Sequence, residues 1–156
     1  MNLSSNRIGY DGVKYLGHVL WNNHTITRLD LSNNQIGDRG AKYLAKTLNT
    51  NESIRIIHLV NNQIEDQGAL SLANSLKQNQ TLTTINLSSN SIGDNGCYSL
   101  AQALVMSPYQ TITNIDLSYN SIGNEGAQSL AHVLQYHTVC TIEQLFHSSL
   151  IQFLDS

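Results

Sequence analysis

Charged residues, aromatic residues and long apolar runs are all scarce in this sequence of 156 amino acids. Charged side chains make up 12% of the chain and the net charge is −3, so the sequence lacks the basic character of a nucleic-acid-binding domain. The composition is also not polar enough for a disordered chain. Because there is neither a long apolar run nor a signal-peptide pattern at the first residues, we expect no membrane interaction and a cytoplasmic location.

Cysteine is nearly absent as well, since only Cys97 and Cys140 are present. Their spacing gives no support for a disulfide bond, and two free thiols favour a reducing compartment. His137 and Cys140 are close in the sequence, but no second pair with zinc-ligand spacing accompanies them. A phosphate-binding G-x-x-x-x-G-K-[ST] loop is missing too. We therefore expect no metal, no cofactor and no catalytic residues.

What the sequence does contain is one motif that occurs five times. Its opening leucines follow one another after 28, 28, 28 and 30 residues: Leu3, Leu31, Leu59, Leu87 and Leu117. Asparagine occupies the third position after each leucine: Asn6, Asn34, Asn62, Asn90 and Asn120. Glycine occupies the ninth: Gly12, Gly40, Gly68, Gly96 and Gly126. Matched columns at a period of roughly 20 to 50 residues indicate a solenoid of stacked structural units.

Each unit is predicted to run from a short strand through a turn into a helix. Alternating side chains in Leu29-Asp30-Leu31 indicate a strand, and the equivalent strands would stack in parallel into one sheet. The column asparagines can satisfy the backbone of the turns and form a ladder. The column glycines, inside the first helical turn, predict a close approach between neighbouring helices. The helices should be N-capped by one column of suitable residue types: Asp38, Asp66, Asp94 and Asn124.

Five N-x-S/T triplets also occur, beginning at Asn2, Asn23, Asn51, Asn79 and Asn86. In a chain so rich in Asn, Ser and Thr they are expected from composition. Asn2 and Asn86 would also lie within the sheet. We therefore assign the triplets no role.

The pattern L-x-L-x-x-N-x-I-G-x-x-G-A-x-x-L-x-x-x-L at a period near 28 residues resembles the leucine-rich repeat of the ribonuclease-inhibitor type. Similar repeats occur in ribonuclease inhibitor, in the Ran GTPase-activating protein, in tropomodulins and in the sensor domains of nucleotide-binding immune receptors. The uniform copies here are most similar to the arrays of those receptors. The resemblance implies an α/β solenoid, a right-handed horseshoe segment with a parallel concave sheet and outer helices. It also implies that the function is protein binding.

The repeats are predicted to cover residues 1–145 as about five units, with strand cores near residues 29–31, 57–59, 85–87 and 115–117. The first unit lacks most of its strand, so four apolar side chains are expected to face solvent: Leu3, Ile8, Val13 and Leu16. Repeat arrays normally need a polar capping unit. This uncapped N-terminal face therefore predicts self-association, cover by a partner, or a fragment of a longer array. Residues 146–156 depart from the repeat and are expected to form a helical cap, unless they are unrelated sequence joined at a break in the reading frame.

The concave face is the predicted working surface, because a solenoid of this type binds there. Most of its positions are polar, but Ile56 and Val60 place aliphatic side chains on either side of His58, which can mark a contact site. We predict a protein partner bound through eight residues: Arg28, Asp30, Ile56, His58, Val60, Asn86, Asp116 and Tyr119. The predicted function is non-catalytic protein interaction within a larger sensor or scaffold.

Two other functions remain open. A regulator of a small GTPase, similar to the Ran GTPase-activating protein, would need a positioned catalytic arginine or asparagine, and the arginine candidates are Arg7 and Arg28. A hydrolase would use Asp30 and His58, which adjacent strands would bring together, and a serine nucleophile. The nearby serines belong to a repeated column, which favours a scaffold role. We therefore predict that the protein is not an enzyme.

Overall fold

The computed structural model describes residues 1–136 and 141–143, in which helices and strands alternate. The helices are α1 (Gly9–Trp21), α2 (Gly37–Leu48), α3 (Asp66–Leu76), α4 (Asp94–Met106) and α5 (Asn124–Tyr136). The strands are β1 (Arg28–Asp30), β2 (Ile56–His58), β3 (Thr84–Asn86), β4 (Asn114–Asp116) and β5 (Thr141–Glu143). None of the described helices is long and apolar enough to cross a membrane. The expected cap at 146–156, like His137 and Cys140, lies outside the described residues.

The strands form one parallel sheet in chain order, as the repeat predicted. Each of the first four strands begins one residue before the strand core that the sequence predicted. The leucine after the strand still joins the ladder, since the backbone N–H of Leu31 donates to the carbonyl oxygen of His58 at 2.9 Å. Before β1, Asn2 adds a single parallel bridge to Asp30. The α/β leucine-rich-repeat solenoid predicted from the sequence is therefore confirmed.

A continuous apolar core fills the space between the sheet and the helices. In α2, Ala41, Leu44 and Leu48 recur at helical spacing and are at most 1% exposed, so one face of the helix is buried. From the sheet side, Leu29 and Ile57 lie opposite each other in the strand register and are fully buried. Each interior repeat thus buries apolar surface against both neighbours, which is the source of stability in a stacked array.

The side-chain amides of the column asparagines hydrogen-bond the turns of neighbouring repeats to one another. Asn62, which is fully buried, is an example. Its Nδ2 donates to the carbonyl oxygen of Leu31 in the preceding repeat at 2.9 Å and to that of Val60 in its own turn at 3.2 Å. Its Oδ1 accepts hydrogen bonds from the backbone N–H groups of Asn34 and Ile36 at 3.0 and 3.4 Å. The predicted asparagine ladder is confirmed, and it satisfies buried turn backbone.

A second asparagine ladder, which the repeat pattern did not predict, lies in the loops between helices and strands. Asn51 and Asn79 are each 3% exposed. The Nδ2 of Asn79 donates to the carbonyl oxygen of Leu48 at 2.6 Å, and its Oδ1 accepts from the backbone N–H of Thr81 at 2.9 Å and of Leu82 at 2.6 Å. Asn51 makes the equivalent bonds one repeat earlier. These N-x-S/T triplets are therefore structural positions rather than accidents of composition.

The aspartate column does not cap its own helices, so that prediction was wrong. Asp66 is the first residue of α3 and follows the N-cap residue Glu65. It makes no capping hydrogen bond to its own helix. Its Oδ1 instead accepts from the backbone N–H groups of Gly93 and Gly96 at 2.7 and 3.0 Å, at the start of α4. Asp94 repeats this bond toward the next helix. The negative charge suits that helix N-terminus, so each carboxylate clamps two repeats together.

Gly96 shows why the glycine column is needed at this clamp. A Cβ atom on Gly96 would lie 2.7 Å from Oδ1 of Asp66 and 3.0 Å from Cβ of Ala69. Both atoms belong to the preceding repeat, and 2.7 Å is closer than a real Cβ contact allows. The predicted close approach of neighbouring helices is confirmed, and it leaves room for the carboxylate.

The N-terminal face differs in part from the prediction. Val13 is fully buried, not exposed, because it occupies the alanine column whose members pack into the core. Three of the expected side chains are partly buried against the core: Leu3, Ile8 and Leu16. The large apolar side chains that α1 does expose include Tyr15 and Val19, at 72% and 69%.

Replacing Asn62 with alanine should lower the free energy of unfolding by more than about 2 kcal/mol, because the buried turn groups that it bonds lose a partner. Urea unfolding followed by circular dichroism measures the change. Asn74→Ala is the matched control, since Asn74 is exposed on α3, and should change stability by less than about 0.5 kcal/mol. Equal losses in the two variants would mean that the ladder contributes nothing specific.

Candidate protein-interaction surface

The sheet places the eight predicted contact residues on or beside its concave face. The strand register brings together a first row of side chains: Arg28, Ile56, Thr84 and Asn114. A second row consists of Asp30, His58, Asn86 and Asp116. Adjacent strands lie about 4.8 Å apart, so members of one row are direct neighbours. Val60 and Tyr119 follow β2 and β4.

Asp30 and His58 are neighbours in the second row, with Oδ2 of Asp30 4.0 Å from Nδ1 of His58. Both side chains are about a quarter exposed or less. Desolvation raises the pKa of Asp30, but hydrogen bonds from Ser32 and the charges of His58 and Arg28 together outweigh it. The pKa of Asp30 is therefore lower than its ordinary value of 3.8, and the carboxylate is ionised at neutral pH.

Asn86 and Asp116 form a second pair at the other side of the row. The Nδ2 of Asn86 donates to Oδ2 of Asp116 at 2.9 Å. The Oδ1 of Asp116 accepts from the hydroxyl of Ser118 at 2.7 Å, and Oδ1 of Asn86 accepts from the hydroxyl of Ser88 at the same distance. These bonds fix both side chains, so this half of the surface is rigid before any partner binds.

The middle of the face is less polar than its surroundings. Ile56 and Val60 are both half-buried, and each leaves part of an aliphatic side chain open to solvent. Ile56 lies between Arg28 and Thr84 in the first row. The surface therefore has an apolar centre, Ile56 and Val60 on either side of His58, bordered by charged and hydrogen-bonding groups.

Tyr119 is unusual in both exposure and backbone conformation. Its side chain is 71% exposed, and its φ of 55° lies in the left-handed region. The same column in other repeats holds Ser5, Asn33, Asn61 and Ser89, also at positive φ. Small or amide side chains tolerate this conformation, whereas a bulky residue there is strained. The scaffold thus accepts an aromatic residue where it normally uses a small one.

The geometry does not assemble a serine hydrolase. The 4.0 Å separation of Asp30 and His58 exceeds hydrogen-bond distance. The hydroxyl of Ser88 donates to Asn86, and Ser32 hydrogen-bonds to Asp30, so neither serine is paired with His58 as a nucleophile would be. Across residues 1–136 and 141–143, no group of three His, Cys, Asp or Glu side chains could hold a metal ion.

Cys97 is a buried thiol rather than a reactive one. Its side chain is fully buried, and it is a free cysteine. Burial, followed by the charges of Asp94 and Asp66, raises the pKa of Cys97 to about 12. A thiol that stays protonated at neutral pH is a poor nucleophile.

Replacing Asp30 with asparagine should lower stability at pH 7 by less than about 1 kcal/mol, the range for partly exposed charge pairs. Because the folded-state pKa of Asp30 is depressed, its contribution is complete above the ordinary value of 3.8 and is lost as the pH falls through the lower folded value. Urea unfolding between pH 7 and pH 3 should therefore show the wild-type and variant curves converging at low pH. A difference that stays constant with pH would assign the loss to packing instead.

Comparison with known proteins supports the repeat assignment. A family model described as "Leucine Rich repeat" matches residues 2–17, 22–45, 50–73, 78–101 and 110–131. A search of curated proteins gave no significant match. Among solved structures, leiomodin-1 actin-binding site 2 is 24% identical, with 84% of this chain and 73% of that chain covered and a TM-score of 0.69. The C-terminal domain of tropomodulin from Caenorhabditis elegans is 14% identical, covering 89% of this chain and 85% of that chain, with a TM-score of 0.76.

At these identities the two structures share the fold with this chain, and nothing more follows from them. The family model, in contrast, matches well over half of the residues, and its five segments fall on the five repeats seen in the structure. Leucine-rich repeats of this kind indicate a protein-protein interaction module. This chain belongs to the leucine-rich-repeat family.

Proposed function

We propose that this chain is a non-catalytic module of a larger sensor or scaffold and that it binds a protein partner through its concave face. The observation that supports this most directly is the apolar centre formed by Ile56 and Val60 on an otherwise polar sheet. Apolar groups surrounded by polar ones are a common arrangement in protein interfaces, where the centre loses water and the rim stays wet.

Rigidity is the second argument for this face. The side chains that border the apolar centre project from parallel strands and are held by hydrogen bonds such as that from Asn86 to Asp116. A partner that binds here orders few side chains, so little conformational entropy opposes binding. Tyr119 adds an exposed aromatic side chain of the type that interfaces favour, at the cost of a strained backbone.

The partner is a protein whose identity the fold does not specify. Leiomodin-1 actin-binding site 2 is similar in structure to this chain. Actin is therefore a reasonable first probe, followed by proteins captured from the lysate of the source cells. The concave face we propose does not depend on actin being the partner.

Regulation of a GTPase receives no comparable support. A catalytic arginine has to be held in place by its surroundings. Arg7 and Arg28 are both exposed, and neither guanidinium has a hydrogen-bond partner among residues 1–136 and 141–143. A hydrolase function is disfavoured because Asp30 and His58 are 4.0 Å apart, which is beyond hydrogen-bond distance.

The double variant His58→Ala, Val60→Ser should weaken binding of the captured partner at least tenfold, which corresponds to about 1.4 kcal/mol. These changes remove central contacts and leave the buried face of the sheet intact. Partners identified by pull-down would be purified, and their affinity measured by isothermal titration calorimetry. The matched control is Gln67→Ala, Asn74→Ala, which alters two exposed positions on the convex face of α3.

The control variant should bind within twofold of the wild type. If the α3 variant abolishes binding while the His58 and Val60 variant binds normally, the concave face is not the working surface. Circular dichroism melts of both variants are needed alongside, because only folded proteins can be compared.

We also propose that copies of this chain associate through the N-terminal face. In the interior repeats, the column of Val19 is buried against the preceding helix, with exposures between 0% and 5% at Thr47, Ser75, Ala103 and Val133. Val19 itself is 69% exposed, and Tyr15 beside it is 72% exposed. Two such faces can bury this apolar area against each other.

Sedimentation velocity should detect a concentration-dependent dimer of the wild-type chain. Tyr15→Ser with Val19→Ser should shift the equilibrium to monomer, because it removes the exposed apolar surface. Tyr98→Ser is the control, since Tyr98 is 54% exposed on α4, away from this face. A wild-type chain that stays monomeric at all concentrations, or a Tyr98 variant that dissociates equally, would contradict the proposal.

A further inference from the structure

The positive charge of this chain is concentrated at one end. All but one of its eight Lys and Arg residues precede residue 56, although the whole chain has a net charge of −3. Four of them lie on α1 and α2: Lys14, Arg39, Lys42 and Lys46. The sequences of α3, α4 and α5 contain no Lys or Arg. The same two helices also carry two carboxylates, Asp11 and Asp38, so four cations minus two anions leave a net charge of +2. The convex side of the solenoid is therefore basic over its first two helices only.

Two tyrosines are interleaved with these cations. The rings of Tyr10 on α1 and Tyr43 on α2 meet edge to face, with centroids 5.3 Å apart. The guanidinium carbon of Arg39 lies 4.5 Å above the centroid of Tyr10, and Nζ of Lys46 lies 5.3 Å from that of Tyr43. Both separations fall within the range of attractive cation–π contacts, so the rings hold the two charges in place. We call Tyr10, Lys14, Arg39, Lys42, Tyr43 and Lys46 the convex basic patch.

Tyr10 departs from the scaffold column. It stands where later repeats have the clamping aspartate of Asp38 and Asp66, which accepts bonds from the next helix start. Without that carboxylate, the N–H of Gly37 donates instead to the carbonyl oxygen of Asn62 at 2.8 Å, and Gly37 adopts a φ of 59°. Tyr10 instead supplies the ring over which the guanidinium of Arg39 lies.

The cations of the convex basic patch have no acidic partners of their own. Arg39, Lys42 and Lys46 are exposed, and within the described part of the chain none of the four forms an ion pair with a carboxylate. The carboxylate of Asp38, next to Arg39 in sequence, is directed to the backbone N–H of Glu65 in the following repeat at 2.7 Å. The positive charge is thus available to a ligand.

We propose that the convex basic patch binds an acidic, extended peptide segment of a partner protein, independently of the concave face. Arg39 and Lys46 are seven residues apart, a rise of about 10 Å along α2. In an extended peptide of polyproline II conformation, carboxylates three residues apart lie on the same face and are about 9 Å apart, a similar spacing. The stacked guanidinium of Arg39 keeps its N–H edge free for a two-point contact with one carboxylate.

A peptide fits these observations better than a membrane surface does. The rings of Tyr10 and Tyr43 are half-buried between two helices, so they are not free to insert into a bilayer. Two of the cations are fixed over those rings, which favours a ligand with defined charge spacing over a fluid layer of head groups. Fixed charges also lose little entropy on binding.

The test uses a fluorescein-labelled deca-glutamate peptide, with deca-glutamine as the neutral control, measured by fluorescence anisotropy in 50 mM salt. The patch variant Arg39→Gln, Lys46→Gln should bind deca-glutamate at least tenfold more weakly than the wild type. The matched control is Arg55→Gln, Lys77→Gln, which removes the same charge away from the patch and should change affinity less than threefold. Tyr10→Leu, which keeps every cation but removes a ring, should weaken binding several-fold.

Equal losses in the patch and control variants would reduce the effect to net charge and overturn the proposal. The proposal would also be overturned if deca-glutamate failed to bind the wild type. It would be overturned as well if vesicles of phosphatidylcholine and phosphatidylserine at 3:1 bound instead, with the same dependence on Arg39 and Lys46. The concave variant His58→Ala, Val60→Ser should bind deca-glutamate normally, so this experiment and the test of the proposed function can fail separately. Thermal melts establish that each variant is folded.

Discussion

Hydrogen bonds from buried side chains to the backbone of the neighbouring repeat are the constraint on which the whole solenoid depends. Each short strand contributes only three residues to the sheet, so strand pairing alone leaves the turns and helix ends unsatisfied. Asn62 and Asn79 bond the turn or loop of the preceding repeat, and Asp66 bonds the helix start of the following one. Together with the apolar core, these bonds make every interior repeat depend on both neighbours.

The same constraint explains where function can be placed. Columns that bond a neighbour or fill the core vary little, so most variation falls at positions that project from the sheet or the helices. Three departures from the columns stand out: the aliphatic pair Ile56 and Val60, the left-handed Tyr119, and Tyr10 in the aspartate column. The first two lie on or beside the concave face and the third on the convex face. Each exchanges a regular scaffold residue for a group suited to contact with another molecule.

The sequence predicted those features that depend on the repeat itself. Period and column identity were sufficient for the parallel sheet, the asparagine ladder, the glycine contacts and the placement of the concave residues. The direction of the Asp66 bond could not be predicted, because residue type alone does not tell whether a carboxylate caps its own helix or the next. Asn51 and Asn79 also recur after 28 residues, but in a chain rich in Asn, Ser and Thr this recurrence does not by itself indicate a ladder. The stacking of Arg39 on Tyr10 joins side chains from different repeats, and no local pattern reveals it.

Hydrogen exchange of an Asn90→Ala variant tests the central claim most directly. Asn90 joins its own turn to that of Asn62, with its Oδ1 accepting from the backbone N–H groups of Asn62 and Ile64. If side-chain bonds couple the repeats, the variant should lose protection mainly at this junction. The repeats on either side should then open in separate steps as urea is added, whereas the wild type opens as one unit. A variant that loses protection evenly along the chain and still unfolds in one step, as a simple loss of core packing would produce, would contradict the account.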